Sequence, residues 1–134
     1  MENLDGKWIY QSFRPECGDG EMPAQIAVPW AGGGNFNGTT DPKTGIVSGT
    51  LAFGRGIELA ISGSITPAGE HGPRGVELKG EGHSSLNHIR GYFIEGSPHP
   101  LIVGTVVAVH NDLAKQPDGT SGPFVLYKAS SSAS

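Results

Sequence analysis

Apolar and polar residues alternate with a period of two through most of this chain, the signature of half-buried strands. The alternation is clearest over residues 45–66, GIVSGTLAFGRGIELAISGSIT. Two alternating runs flank Gly54-Arg55-Gly56. A three-residue hairpin loop there sets Phe53 opposite Ile57, Leu51 opposite Leu59, Gly49 opposite Ile61 and Val47 opposite Gly63. The large apolar residues then share one face, and Ser48, Thr50, Glu58 and Ser62 share the other. A two-residue loop mixes those faces, so the pattern predicts three residues with Gly56 in the left-handed conformation.

The same reading extends along the chain. Residues 6–13 form a strand with Trp8, Tyr10 and Ser12 on one face and Ile9, Gln11 and Phe13 on the other. Residues 24–30 form a second, with Pro29 near its end, which suits an edge or a bulge. Gly32, Gly33 and Gly34 read as a flexible turn before a short strand at 35–37. Residues 74–82 alternate Val76 and Leu78 against Glu77 and Lys79. A second hairpin joins 86–95 to 101–110 across a five-residue loop, and 121–128 closes the domain. Residues 111–122 form the longest loop, with a single helical turn expected at 112–115. About eight short strands in sequence form a meander, and such a meander loses its edges by closing into a barrel. The expectation is an all-β fold: one antiparallel, eight-stranded, up-and-down barrel over residues 1–128, with a frayed tail at 129–134.

Composition supports this and narrows the function. Gly accounts for 22 of 134 residues and Pro for 10, and they punctuate the alternating runs as turn-rich β proteins require. The net charge is −4, and the nine Lys and Arg residues are scattered singly. Nucleic acid and anionic membrane both need a clustered basic footprint, so neither is expected as a partner. A lone cysteine, Cys17, precludes an internal disulfide. There is no apolar leader at the N-terminus and no apolar run of membrane-spanning length, so the chain reads as soluble and cytoplasmic.

Gly6-Lys7-Trp8 on the first strand resembles the Gly-x-Trp signature of the calycins, the superfamily of lipocalins and their relatives. The meander resembles the avidin-type eight-stranded barrel. The resemblance implies that Trp8 plugs one barrel end and that the other end opens on a small-molecule pocket. Two departures stand out: the chain has no room for the helix that lipocalins pack on the barrel, and only Trp30 is left to line a pocket of the avidin kind. The segments around Asp5-Gly6-Lys7-Trp8, Leu51-Ala52-Phe53-Gly54 and Leu59-Ala60-Ile61-Ser62-Gly63 are also similar to small bacterial proteins.

Candidate chemistry concentrates on the second hairpin. A five-residue loop sets Phe93 opposite Val103 and Ile89 opposite Val107 on one face. On the other face Tyr92 meets Gly104, Arg90 meets Val106 and His88 meets Ala108. Both faces are then largely apolar, which implies that the outer one is covered by another copy of the chain, in a dimer or higher homo-oligomer. If the face of His88, Arg90 and Tyr92 is interior, Arg90 and Tyr92 hold a carboxylate or carbonyl and His88 moves a proton. If it is exterior, they line an interface or meet solvent. Tyr10 and Trp30 are further ligand-binding candidates. Glu81, His83 and His88 form the best metal constellation, yet they fall short of convergent zinc ligation, and His71, His99 and His110 belong to loops. No metal or cofactor is expected. Glu16 beside Cys17 opposes thiolate formation.

Three functions fit this sequence. The leading one is a protein that binds an apolar or amphipathic small molecule at one barrel mouth, through Tyr10, Trp30, His88, Arg90 and Tyr92. The second is an enzyme of cyclase or isomerase type in the same cavity, with His88 or Tyr92 as the catalytic proton carrier. The third is an interaction module whose barrel is filled by its own side chains.

Overall fold

The computed structural model describes residues 3–15, 27–54, 56–69, 72–94, 96, 98–111 and 118–129. Eight strands run in sequence: β1 (Gly6–Pro15), β2 (Ala27–Thr40), β3 (Ile46–Gly54), β4 (Ile57–Thr66), β5 (Gly75–Gly82), β6 (Ser85–Phe93), β7 (Leu101–Asn111) and β8 (Thr120–Lys128). Each pairs antiparallel with the next, and β1 also pairs with β8, so the sheet closes into an up-and-down barrel. Closure is the physical answer to the edge problem, because it leaves no strand with unpaired backbone groups along one side. None of the described residues is helical, so among them no helix is long and apolar enough to cross a membrane.

The period-two pattern sorts side chains between core and surface as expected. Trp8, Tyr10 and Ser12 point inward from β1, and Val76 and Leu78 do so from β5. Val47, Leu51, Leu59 and Ile61 join them from the first hairpin. Bulky rings fit because neighbouring strands supply glycines. The Phe36 ring lies over Gly38 and Gly49, where any Cβ would sit within 2.6 Å and 2.8 Å of ring carbons. At Gly104 a Cβ would come 2.0 Å from the carbonyl oxygen of Arg90, so only glycine permits this strand approach.

Three expectations need correction. Gly32, Gly33 and Gly34 make no turn but lie within the continuous strand β2. The register of β1 on β2 jumps from Gln11↔Gly33 to Ser12↔Trp30, so Ala31 and Gly32 form a bulge and Pro29 lies just beyond it. The first hairpin keeps its expected pairs Leu51↔Leu59, Gly49↔Ile61 and Val47↔Gly63 by another route. Its loop is only residues 55–56, and a bulge between Ala52 and Gly54 restores the sorting, with Gly54 and Gly56 both at positive φ.

The third correction moves chemistry. The amide of Ile94 donates to the carbonyl of Leu101, so the loop after β6 has one residue more than expected and the register slips by one. Phe93 pairs with Ile102, Tyr92 with Val103, Arg90 with Thr105 and His88 with Val107. A one-residue slip sends every side chain of β7 to the opposite face. Ile102, Gly104, Val106 and Ala108 therefore point inward with Ile89, Gly91 and Phe93, while Val103, Thr105 and Val107 point outward. The expected helical turn at 112–115, Cys17, His71 and residues 130–134 of the tail fall outside the described residues.

Candidate functional site

The two barrel ends are built differently. At one end Trp8 is fully buried beneath Leu4, which lies across the opening. The Leu4 amide donates to Thr40 Oγ1 at 2.9 Å, and the Thr40 amide donates to Asp5 Oδ1 at 2.6 Å, so residues 3–5 are tied to the end of β2. The Lys128 ammonium lies 5.3 Å from the centre of the Trp8 ring and donates to the Asp5 carbonyl. That pairing of cation, ring and carbonyl clasps the first strand to the last. The sequence held a signal for it, a lysine ending the last strand opposite Trp8, but pattern reading alone does not pair the two. The Trp8 Nε1–H is buried with no hydrogen-bond acceptor among the described residues.

Inward from Trp8 the barrel is packed. A void of about 10 Å³ remains among Tyr10, Phe36, Leu51, Ile61, Leu78, Ile89, Phe124 and Leu126, room for about one water. Tyr10 caps this layer. Its ring stacks on Phe124 (5.8 Å, 27°) and meets the edge of Phe53 (6.0 Å, 81°). Burial pushes the Tyr10 hydroxyl up to about 12, against the opposing effect of its hydrogen bond with the Ser12 side chain.

Beyond Tyr10, towards the far end, small inward residues lie on five strands: Ser12 on β1, Gly34 on β2, Gly80 on β5, Ala108 on β7 and Gly122 on β8, with Asn87 on β6. Strands β3 and β4 keep large ones there, Phe53 and the buried Leu59. Phe53 leans over Gly34 and Ile61 reaches over Gly80, which gives this end an aromatic and aliphatic floor. The polar groups facing it are the hydroxyls of Ser12 and Ser85, both buried, and the Asn87 amide. Sequence reading missed Ser12, Phe53, Asn87 and Phe124 as members of one constellation. Alternation assigns each to a face of its own strand, but which residues of different strands stand at one level depends on the strand offsets.

The expected residues divide between inside and outside. Tyr10 is inside. Trp30 pairs with Ser12 in the β1–β2 ladder, and its side chain lies outside the described residues. His88, Arg90 and Tyr92 leave the barrel, which corrects their expected role inside a pocket. His88 stands between Lys79 and Val107 on the outer face. Arg90 is ion-paired with Glu77, and Tyr92 covers Gly75. Arg90 and Tyr92 do share a shallow outer groove of about 200 Å³ with Thr66 and Glu77. Glu81 is ion-paired with Lys79 at 2.9 Å, and His83 accepts the Glu58 amide at 3.4 Å, so the metal constellation is dispersed. His99 lies in the connection after β6, and His110 approaches Asp118 at 3.4 Å. Among the described residues no three His, Cys, Asp or Glu side chains gather as a metal site would require.

A further concavity of about 360 Å³ opens at the Trp8 end between Asn3, Asp5, the turn at 41–45, Ile65 and Arg74. Its carboxylates serve the backbone: Asp5 holds Thr40, and Asp41 Oδ1 accepts the Lys43 amide at 2.8 Å. No protein-family model, curated protein or solved structure matches the chain.

Proposed function

We propose that this barrel is a calycin-like binding protein for an apolar or amphipathic small molecule, held at the end opposite Trp8. The observation that carries the reading is the cluster of small inward side chains at that end. Among the described residues Ser12, Gly34, Gly80, Ala108 and Gly122 line five of the strands there, facing Phe53 and Leu59 on β3 and β4. Apolar walls with a few convergent polar groups are what small-molecule sites share. Phe53, Tyr10 and Phe124 form the floor, while Ser12, Ser85 and Asn87 orient a polar head. Tyr10, raised to about 12, stays protonated at neutral pH and serves as a hydrogen-bond donor.

The filled-barrel interaction module is the second reading, favoured by the void of about 10 Å³ below Tyr10. A titration separates the two. The protein is titrated with medium-chain fatty acids and with an anilinonaphthalene sulfonate, followed by fluorescence and thermal unfolding. Binding predicts one saturable site and a rise in Tm with ligand concentration. Asn87→Trp, which fills the far end, abolishes both effects while the fold persists. No saturable binding of either probe by the wild type, or equal binding by folded Asn87→Trp, sinks the proposal.

A further inference from the structure

The outer surface of the barrel is uneven. On β3, β4 and β5 the outward positions include Ser48, Ser62, Glu58, Glu77, Lys79 and Glu81. On β7 and β8 the described outward positions carry no charged residue at all. The register aligns their side chains in rows that run across four strands. One row joins Ile94, Leu101, Tyr127 and Ile9. The next joins Tyr92, Val103, Val125 and Gln11. Tyr92 and Tyr127 are each 42% exposed and Ile94 is 39% exposed, so the patch meets solvent in a single protomer.

We propose that this β6–β7–β8–β1 face is the contact surface of a reversible homodimer, with the same face of a second copy as its occupant. Three observations select a second copy. First, the barrel is closed, so copies have no free edge for strand pairing and must associate face to face. Second, each chain carries a net charge of −4, yet these two rows carry no charged residue, so two copies meet there without opposing like charges. The charged outward residues stand at the rim: Lys7 on β1, next to Ile9, and Arg90 on β6, paired with Glu77.

Third, the dimensions suit a weak symmetric contact. Four strands about 4.8 Å apart, with three outward positions about 6.8 Å apart along each, give a footprint of about 400 Å². Two such faces come to roughly 800 Å² before corrugation, in the range of weak, transient contacts. Isologous pairing uses one patch twice, which a single apolar patch on each copy supplies. A contact this small is expected to be weak and reversible, with dissociation on the order of 1–100 µM.

Sedimentation velocity across about 2 to 200 µM tests the proposal over that range. The wild type should rise from the 13.9 kDa protomer towards twice that mass. Val103→Lys and Val125→Glu, made separately, should each remain at the protomer mass with unfolding curves like the wild type's. Ser62→Lys on the polar side should associate as the wild type does. A wild type that stays at protomer mass throughout overturns the proposal. So does a species larger than a dimer, or association that persists in whichever face variant folds.

Discussion

The Trp8 end and the far end of this barrel are made from the same eight strands, yet they solve different problems. At the Trp8 end the largest side chain is fully buried, glycines make room for the Phe36 ring on the adjacent strand, and residues 3–5 and Lys128 hold this end from outside. At the far end the described inward positions on β1, β2, β5, β7 and β8 shrink to Gly, Ala and Ser, while Phe53 and Leu59 stay large on β3 and β4. The difference teaches that a barrel with a single core can concentrate its largest side chain and its backbone ties at one end and carry smaller inward residues on most strands at the other.

The sharpest way to break the comparison is to truncate a side chain at each end. Trp8→Ala should cost about 3–5 kcal/mol in urea unfolding, the range for a buried aromatic. Asn87→Ala should cost less than about 1 kcal/mol, since it removes a partly exposed amide from a loosely filled layer. Equal costs would mean that the ends do not differ. Next in size, Gly104→Ala should destabilise by about 3 kcal/mol, because the new methyl meets a backbone oxygen that cannot swing aside.

Alkaline titration probes the layer between the two ends. The Tyr10 hydroxyl is held at about 12 in the fold against an ordinary value of 10.0. The unfolded chain therefore loses this proton first, and stability falls as pH rises from 10 towards 12. The contribution is intact below pH 10 and amounts to about 2–3 kcal/mol over the window. Tyr10→Phe should remove that part of the alkaline loss when the two unfolding profiles are compared.

Smaller effects sharpen the picture. Lys128→Met keeps the aliphatic stem but loses the charge over Trp8 and the bond to the Asp5 carbonyl. It should cost about 1–2 kcal/mol, with hydrogen exchange rising first in residues 3–5. The far-end turn between β5 and β6 holds His83 and Ser84 at φ of 50° and 59°. Non-glycine residues carry a modest strain in that conformation. Replacing the pair by Asn-Gly, the preferred turn of this type, should raise stability by about 1 kcal/mol.

The barrel was legible in the sequence because alternation is local and repeats on every strand. The inward set of β1, β3, β4 and β5 follows from it directly. The site was less legible, because it depends on how strands are offset from one another. Residues 94–101 show why: a connection longer by one residue moved β7 one position along β6, and the face of His88, Arg90 and Tyr92, which alternation alone leaves open, lies outside. Bulges defeated local reading in the other direction. Gly32, Gly33 and Gly34 look like a turn, but the paired strands on either side turn them into an irregularity within β2. The clasp of Lys128 on Trp8 joins the two ends of the fold, and no local pattern announces it.

The pairing of β1 with β8 also sets the order of events during synthesis. Lys128 lies 123 residues beyond Asp5, the residue whose carbonyl it engages. At translation rates of about 5–20 residues per second, β1 waits roughly 6–25 s for its last partner. Until then Ile9, Gln11 and Phe13 lie on a strand with one unpaired edge, and the meander is an open sheet. Closure is the most non-local step in the molecule, so it should govern the slow phase of refolding. It also defines the interval in which the nascent chain depends most on chaperones.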